Sequence, residues 1–451
     1  MNSGRNDAEA ELDPRRDWPA FGGLTPWATP LGASSAAAMA GLGLRPARRV
    51  LLLEAGTGAG LAAIAAAGAG EGLEVWGAEG DPALAEQARA LIAEAGLEAQ
   101  VIAAPVAALP GQALPEFDLV LAPWGWDLLD EPARAAALAL LGAKLAPGGG
   151  FLCAWSVLPG ARASLGLRQL AGACWDAAPR GLSPEARRDW TVAALRRSFA
   201  ASYRLVRELP RWAATLEAMA ACPPALFVRM WVAPVAGLRG MRAFGAELRA
   251  AGLDRFAPAR PERLARDLDM SRAQMAEVDA SPDPWTGAEL GDLMMWRVRR
   301  ADLFAKPGGP APDPGAVRLR GLAGPETAEL RTEGLLGAAT LSRAVYGPML
   351  ALLAERETAT LAELAAVAAR PLEATIPLAG ALIGAGLAAS AAYASPRAVP
   401  ADARAACDRL TRALAARGQG RFAVSALLGG AVAAPAPGDA AAARIADLIS
   451  S

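Results

Sequence analysis

Short apolar runs alternate with longer helical stretches between residues 49 and 160. The runs read VLLL, LEVWGAE, QVIAAP, FDLVLAP and FLCAWS. Apolar runs of this length, with little polar alternation, are typical of strands that are buried on both faces. Because helical stretches separate the runs, the pattern predicts an α/β fold with a parallel, doubly wound sheet.

The pattern changes after residue 160. Up to residue 304 it consists of long helical stretches that carry many arginines, such as LRQLAGACWDA and MRAFGAELRAAGL, and no second sheet is predicted there. Residues 305–315, AKPGGPAPDPG, favour neither helix nor strand and are interpreted as a linker. The predicted parts are an N-terminal arm (1–46), an α/β domain (47–160), a helical domain (161–304) and a C-terminal domain (316–451).

Residues 348–387 have the rhythm of three short helices followed by a small hairpin, which resembles a winged-helix module. Such modules often bind DNA through their last helix, but the stretch around residues 375–383 has no basic residue to meet phosphates. Packing against protein is therefore favoured over nucleic-acid binding for this C-terminal, winged-helix-like domain.

Charge and composition exclude several classes of function. Lys+Arg is 45 and Asp+Glu is 46, so no overall attraction to nucleic acid or anionic membrane is expected. The chain has no histidine, which removes the Ser-His-Asp triad and the commonest metal ligand. Its four cysteines are far apart without a CxxC pair, so buried free thiols are expected, with no metal site and no disulfide framework.

Two stretches of the sequence indicate whether the protein is secreted or inserted in a membrane. The amino-terminal sequence MNSGRNDAEAELDPRRDW is charged from its start and lacks the apolar core of a secretory signal. The apolar stretch 374–396 approaches the ~20 residues that a membrane span needs, but it contains Pro377 and is mostly alanine and glycine. A buried helix followed by a hairpin is the preferred interpretation, and a cytoplasmic protein without a membrane span is expected.

The first apolar run leads into a glycine-rich turn, VLLLEAGTGAG at residues 50–60. Residues 58–63 fit the G-x-G-x-x-A form of a dinucleotide fingerprint, whereas Gly56, Thr57 and Gly58 fit the turn of an S-adenosylmethionine (SAM) site. Glu79 ends the second predicted strand about 20 residues later, where an acid binds ribose hydroxyls in either kind of site. A nicotinamide enzyme and a methyltransferase both remain open at this point.

The order of the parts that follow separates the two. EFDLVLA (116–122), a long helical stretch and LAPGGGF (145–151) together resemble the class I SAM-dependent methyltransferases. With WSVLPG (155–160) and WRVRRADLFAKP (296–307), the chain resembles bacterial methyltransferases that carry a methyltransferase regulatory domain, a family that includes protein-lysine methyltransferases. The resemblance implies SAM as cofactor, a Rossmann-like SAM-binding domain, a helical regulatory or substrate domain, and a protein acceptor, with lysine as the methylated residue.

The predicted cofactor-binding positions are Gly56, Thr57, Gly58 and Glu79, which match the motif, and two residues assigned from their own side chains, Glu54 and Trp124. The resemblance implies Trp155 and Ser156 as catalytic positions. The chain also departs from the family, because Leu52 stands in place of an acid, Glu54 in place of the first glycine and Pro105 in place of an Asp. These departures fall on cofactor positions, so a degenerate relative that serves as a binding or regulatory protein is the alternative function.

Glu54 allows two accounts. Its side chain either crowds the turn and repels the carboxylate of SAM, or pairs with the ammonium of SAM and takes the role of the acid missing at Leu52. The two accounts predict opposite effects of removing the side chain on SAM affinity. Pairing is the preferred account, because Gly56, Gly58 and Glu79 persist around Glu54.

Methyl transfer from a sulfonium is an in-line displacement, so alignment and desolvation of an uncharged nucleophile can supply catalysis without a histidine. Trp124, Trp126 and Trp155 fall near the ends of predicted strands. There they either hold a cation over their rings or pack the helical domain onto the sheet.

Three acids near the fourth strand and a pair of arginines are given structural roles. Asp118 is interpreted as the end of a loop that enters a buried strand. Asp127 and Asp130 are interpreted as acids that complement the dipole of the helix that follows. Arg196 and Arg197 are assigned to a solvated helix face.

Overall fold

The computed structural model of the chain describes residues 27–123, 126–202, 212–222, 224–232, 237–324, 328–419 and 422–433. Trp124, one of the predicted cofactor-binding residues, lies outside them. Among the described residues, no single helix is long and apolar enough to cross a membrane, and only the helices Leu361–Val367 and Leu372–Gly384, which meet at a bend of 102°, pass that test as a pair.

A seven-stranded sheet in the order β3-β2-β1-β4-β5-β7-β6 forms the centre of the protein. Its strands are β1 (Arg49–Leu53), β2 (Glu74–Glu79), β3 (Gln100–Ala103), β4 (Phe117–Ala122), β5 (Leu145–Ser156), β6 (Arg255–Pro258) and β7 (Arg299–Ala305). Strands β1 to β5 are parallel, and β7 runs antiparallel to both β5 and β6. The prediction of a parallel sheet from the first five apolar runs is confirmed.

The last two strands correct the expectation that residues 161–304 are helical. β6 and all of β7 except Ala305 lie in this range, and both strands complete the same sheet instead of forming a second one. β7 reads RRADLFA and is buried only from Asp302 to Ala305. A strand that is polar over its first half gives no continuous apolar run, so the sequence pattern does not mark it. The domain boundaries themselves stay predictions.

Helices cover both faces of the sheet. In the first 300 residues they are α1 (Pro30–Met39), α2 (Ala59–Ala67), α3 (Pro82–Glu94), α4 (Glu131–Lys144), α5 (Arg162–Asp176), α6 (Pro184–Ala201), α7 (Trp212–Ala221), α8 (Pro224–Phe227), α9 (Met241–Ala250), α10 (Arg272–Asp279) and α11 (Pro284–Met295). Thr29, Asp81, Asp130, Ser183 and Asp283 cap α1, α3, α4, α6 and α11 by accepting hydrogen bonds from first-turn N–H groups. Helices α5 to α8 pack around their own small core.

The side chains of β1 alternate between two cores. Val50 and Leu52 pack with α2 and α3 on one face of the sheet. Leu51 and Leu53 pack with α4, α9 and α11 on the other. Burial on both faces explains why β1 is a continuous apolar run.

After β7 the chain forms a further core, the C-terminal core. Its strands are β8 (Arg318–Gly321), β9 (Arg331–Gly334), β10 (Gly337–Thr340), β11 (Thr358–Thr360) and β12 (Ala388–Ser390), and its helices are α12 (Arg343–Arg356), α13 (Leu361–Val367) and α14 (Leu372–Gly384). β8 lies between β11 and β12 in an antiparallel sheet, and β9 pairs with β10. Leu319, Leu353 and Leu382 are buried in this core.

The chain then returns to the central sheet. Helix α15 (Ala401–Leu414) packs against α2, and the hairpin of β13 (Phe422–Ser425) and β14 (Gly430–Ala433) packs beside it. Cys407, Leu410 and Val424 belong to the same core as Val50 of β1. Residues assigned by sequence to a C-terminal module therefore complete one face of the α/β sheet.

The Pro/Gly segment 305–315 lies against the beginning of β5. Lys306 Nζ donates to the carbonyl oxygens of Gly142 and Leu145, both at 2.7 Å. The carbonyl of Pro307 accepts from the N–H of Gly148 at 2.8 Å. The segment connects the central sheet to the C-terminal core, and it packs against the beginning of β5.

Asp118 connects β4 to the start of β1, at the edge of the sheet where the parallel strands begin. Its carboxylate accepts from the backbone N–H groups of Arg48 and Arg49 at 2.8 Å and lies 2.8 Å from Arg45 Nε. The predicted structural role of Asp118 is confirmed. The opposite edge, where β1, β2, β4 and β5 end, carries the glycine-rich turn.

Candidate active site

The glycine-rich turn connects the end of β1 to the start of α2. β1 lies between β2 and β4, at the point where the strand order reverses, and ligands of open α/β sheets bind at the carboxyl ends of the strands there. Gly56 and Gly58 have φ values of 58° and 82°, which favour glycine. A Cβ at Gly58 would lie 2.6 Å from the Cβ of Ala88 on α3. Gly58 is therefore required for packing the turn against α3 as well as for its own conformation.

Glu79 ends β2 beside this turn and is only 1% exposed. Its Oε2 accepts from the N–H of Gly56 at 2.7 Å, and its Oε1 accepts from the N–H of Asp81 at 2.9 Å. A carboxylate has about four acceptor positions, so Glu79 can hold several donors at once. The structure thus brings together the turn and the acid that the sequence singles out about 20 residues apart.

Glu54 occupies the first position of the turn with a φ of 56°. This left-handed conformation suits glycine, and a residue with a Cβ adopts it at a cost of about 1–3 kcal/mol. Glu54 and Thr57 are both half-buried, whereas Leu52 is 2% exposed in the core. The turn therefore keeps the path that a glycine would give it, and carries a carboxylate and a hydroxyl on that path.

Asp127 and Ser156 meet at the ends of β4 and β5. Both carboxylate oxygens of Asp127 accept from the N–H of Ser156 at 2.9 Å, and Oδ2 also accepts from Ser156 Oγ at 2.7 Å. Asp130, not Asp127, caps α4, through a bond from the N–H of Ala133 at 2.8 Å. The prediction is confirmed for Asp130 and wrong for Asp127, because Asp127 precedes the cap by one turn and finds its partner on the neighbouring strand.

Trp155 lies in the core between the sheet and α9. It is 2% exposed, its ring centroid is 4.5 Å from that of Phe244, and its Nε1 donates to Asp302 Oδ2 at 3.3 Å. Trp126 packs on Phe151 and Phe244 in the same core. The structure thus shows Trp155 packed in the core, and its catalytic role stays a prediction.

Arg168 on α5 is close to Asp127. Burial lowers the pKa of the Arg168 guanidinium to about 10, and Asp127 acts in the opposite direction. Burial, followed by the charges of Asp127 and Asp302, raises the pKa of the Cys153 thiol well above its usual value. Cys153 is a buried free thiol, as predicted, and is not a nucleophile.

Asp127 and Arg168 are charged residues of this site that the sequence pattern does not assign to it. The position of Asp127, a few residues past a strand that ends at the ligand edge, is the only local signal for it. Arg168 is one of many arginines in helical sequence, and nothing in its spacing distinguishes it.

Residues 52–149 match the family model described as a methyltransferase domain. This stretch, which runs from β1 into β5, is similar to a methyltransferase domain. PKMT2 from Rickettsia typhi has a similar structure, with a TM-score of 0.62 at 13% identity over 92% of this chain and 86% of that one. PKMT2 from Rickettsia typhi in complex with AdoHcy gives a TM-score of 0.57 at 12% identity over 81% of this chain and 76% of that one. At such low identity the likeness shows the fold alone. No curated protein matches the chain.

Proposed function

We propose that the chain is a SAM-dependent methyltransferase that acts on a protein acceptor, with lysine as the methylated residue. The observation that carries the proposal is the bond between Glu79 Oε2 and the N–H of Gly56 at the switch point of the sheet. It couples the acid that would bind ribose to the turn that would hold the amino-acid part of SAM. The structural similarity to PKMT2 supports the acceptor class.

Each part of the turn has a role in holding SAM. The carboxylate of Glu79 would accept hydrogen bonds from the ribose hydroxyls. The N–H groups at the start of α2 favour the carboxylate of the cofactor, because a helix N-terminus carries partial positive charge. Glu54 would pair with the ammonium group. When bound, SAM supplies a methyl group on a positively charged sulfur.

Asp127 and Ser156 would orient the acceptor. The hydroxyl proton of Ser156 is donated to Asp127, which leaves the lone pairs of Ser156 Oγ for a donor on the acceptor. Ser156 is thus a positioning residue, and Asp127 fixes its rotamer. Alignment of the nucleophile with the sulfonium is the main catalytic requirement of this displacement.

The parts around the methyltransferase domain suggest finer assignments. The small core of α5 to α8 would be the helical regulatory or substrate domain, and the antiparallel sheet with α12, α13 and α14 would be a winged-helix-like domain. Helix α14 carries Glu373 and no basic residue, which supports a protein contact over nucleic acid.

A second candidate function rests on Glu54 and Leu52. A strained glutamate in place of glycine and an apolar residue in place of an acid are changes that a degenerate, partner-binding relative would accumulate. Affinity for SAM is the property that separates the two candidates most directly, because the enzyme requires SAM and a degenerate relative does not.

Calorimetric titration of the whole chain with SAM and with AdoHcy tests the proposal. We expect saturable one-to-one binding of both ligands and no binding of NADH, which is the control for a dinucleotide site. A folded chain that binds neither SAM nor AdoHcy would overturn the enzyme in favour of the degenerate relative.

A further inference from the structure

A cavity of about 520 Å³ lies next to the end of β5, on the side of the sheet that β6 and β7 form. Ala154 of β5 and Pro258 of β6 are part of its wall, and α10 and α11 form another part. Arg299 also lines the cavity and is the partner of Ser156 in the register of β5 and β7. The volume is in the range of ligand pockets, about 300–1,000 Å³, so the cavity can hold a side chain of a molecule that reaches Ser156.

The arginines that line this cavity are engaged within the protein. Ion pairs connect Arg260, Arg263 and Arg266 with Glu262, Asp269 and Asp279, respectively. Arg297 and Arg300 share the buried Asp292, and Arg299 also interacts within the chain. A charged occupant would lose its hydration and would have to compete with these ion pairs for a partner. The cavity therefore favours a neutral occupant.

Apolar side chains provide the surface that such an occupant would contact. Trp27, Met270, Val278 and Met295 line the cavity together with Pro258. Methionine is unbranched and its thioether is polarizable, so Met270 and Met295 can adapt to occupants of different shape. The lining is therefore suited to an aliphatic or aromatic side chain.

Trp296, whose chain neighbours Met295 and Arg297 line the cavity, has an unusual backbone conformation. Its φ is 53° and its ψ is 42°, at the end of α11. Its N–H donates to the carbonyl of Leu293 at 3.4 Å, and the N–H of Arg297 donates to that of Asp292 at 3.0 Å. This pair of bonds is the Schellman motif, in which glycine is the usual residue at the left-handed position. A bulky residue is an outlier there, and such outliers cluster at active sites and ligand-binding sites.

Ala369 provides a comparison within the same chain. It follows α13 with a φ of 50°. Its N–H donates to the carbonyl of Ala366 at 3.2 Å, and the N–H of Arg370 donates to that of Ala365 at 3.1 Å, so the same two bonds close the helix. A residue as small as alanine thus forms this turn. Because the turn itself does not require an indole, the side chain of Trp296 points to a further role.

The main chain around Trp296 is held against the end of β5. The N–H of Val157 donates to the carbonyl of Val298 at 2.9 Å. A Cβ at Gly160 would lie 2.4 Å from the carbonyl oxygens of both Trp296 and Arg297, so only glycine fits there. Trp296 is 52% exposed and is the one exposed tryptophan in the part of the chain that the structure describes. An apolar ring thus faces solvent next to the cavity and the candidate active site.

We propose that the cavity and Trp296 bind an apolar side chain of the protein acceptor, and the proposal rests on the function proposed above. The cofactor would occupy the turn at β1 and β2, so a ligand on the β7 side of Ser156 is the acceptor. Trp296 is three residues before Arg299, the register partner of Ser156, and such a stretch spans at most about 11 Å. An extended acceptor covers this distance in about three residues. The acceptor therefore carries a bulky aliphatic or aromatic residue within about three positions of the methylated lysine.

Three variants separate binding from folding. Trp296→Gly removes the indole and places glycine where the turn prefers it. Gly291→Leu fills the cavity, because a Cβ there would meet Met295 Cε at 3.6 Å and Met270 Sδ at 3.9 Å, which are ordinary contacts with lining residues. Ala369→Gly places glycine at the same position of the matching turn after α13 and is the matched control. All three variants should bind AdoHcy as the wild type does.

The probe is the capped heptapeptide acetyl-Leu-Ser-Ser-Lys-Ser-Ser-Leu-amide, and its control has Ser in place of both Leu residues. Binding is followed in the presence of AdoHcy by the broadening of the peptide's lysine NMR signals, which detects weak complexes. We expect the wild type and Ala369→Gly to bind the leucine peptide at least about fivefold more tightly than the serine peptide, the scale of partly burying a leucine. Trp296→Gly and Gly291→Leu should reduce this preference to about twofold or less.

A purely structural role of Trp296 would give a different result. Trp296→Gly would then lower the midpoint of urea unfolding and weaken the binding of both peptides and of AdoHcy to the same extent, which would overturn the proposal. We expect instead that the loss is confined to the leucine peptide.

Equal affinity of the two peptides for the wild type, including undetectable binding of both, would overturn the proposal. An unchanged preference in Trp296→Gly and Gly291→Leu would do the same, and Gly291→Ala takes the place of Gly291→Leu if the latter fails to fold. Tighter binding of a third peptide with Glu at both ends would assign the cavity to charged residues instead. Absence of AdoHcy binding by the wild type would overturn the proposed function, and the two peptides without AdoHcy would still decide what the cavity binds.

Discussion

The sheet edge at which β1, β2, β4 and β5 end has two sides that are built in opposite ways. At β1 and β2 the site consists of backbone N–H groups and the carboxylate of Glu79. At β6 and β7 it consists of side chains, with Arg297 and Arg300 set around the buried Asp292. A site made from backbone keeps its shape when side chains change, as the φ of 56° at Glu54 illustrates. A site made from buried ion pairs depends on every member, because a partner left alone keeps its desolvation cost.

The sharpest test of the β7 end is Asp292→Ala. We expect it to lower the free energy of unfolding by about 3–5 kcal/mol, because Arg297 and Arg300 would lose a buried partner. Asp279→Ala is the control, since Asp279 is 60% exposed beside Arg266 and a pair of this kind is worth at most about 1 kcal/mol. Urea unfolding measures both variants, and equal losses would contradict the importance of burial.

The corresponding test at the β1 end is Glu79→Ala. It should weaken AdoHcy binding by about 2–3 kcal/mol, the scale of a charged hydrogen bond together with an unpaired partner. It should also lower the free energy of unfolding by about 1–3 kcal/mol, because the N–H groups of Gly56 and Asp81 lose their acceptor. Glu79→Gln, which keeps one acceptor oxygen, should give intermediate values by calorimetry and urea unfolding. An unchanged AdoHcy affinity in Glu79→Ala would place the ribose elsewhere.

Glu54→Gly separates strain from binding. The variant should raise the free energy of unfolding by roughly 0.5–1 kcal/mol, because relief of the left-handed strain exceeds the entropy cost of a glycine. It should loosen SAM binding about tenfold, or roughly 1.4 kcal/mol, because the ammonium loses its carboxylate partner. Thermal unfolding and calorimetry measure the two effects independently. Tighter SAM binding in the variant would establish crowding instead of pairing.

The smallest effect concerns acid pH, through the buried Asp269, which pairs with Arg263 and Arg297. Burial favours its neutral form, but Arg263, Arg297 and the N–H of Leu335 outweigh burial and hold the pKa of Asp269 below its ordinary value. The resulting stability is complete above the unfolded pKa of about 3.9 and is lost as pH falls through the folded pKa. Urea unfolding from pH 6 to pH 3 should show a shallower decline in Asp269→Asn than in the wild type. Identical slopes would exclude this contribution.

The sequence predicts the β1 end well, because its signals are local. Unbroken apolar runs mark strands buried on both faces, and glycine marks positive φ at Gly56 and Gly58. The β7 end is missed because β7 begins with two arginines, Arg299 and Arg300, and Arg300 has one of its partners, Asp292, on another element. Pairing between distant elements leaves no periodic trace in the sequence.

Trp155 and Asp127 show the same limit of prediction from sequence, now within the site. The two residues lie at or just after strand ends, where the sequence allows either function or packing. The alternation of β5 could have placed Trp155, since it has the parity of Phe151 and Cys153 in the buried core. No such rule was available for Asp127, whose partner Ser156 is 29 residues away.

The return of the chain to its first core has a consequence for synthesis on the ribosome. β1 to β5 emerge early, but the face that carries α2 is completed by α15 and the hairpin, the last described elements to be made. Arg409 and Arg417 then fasten these elements to Ala95 and Glu94 at the end of α3. Until they arrive, a nascent chain exposes apolar surface over half of its sheet, the kind of surface that chaperones bind. Folding of the methyltransferase domain is therefore completed after, not during, translation of its own strands.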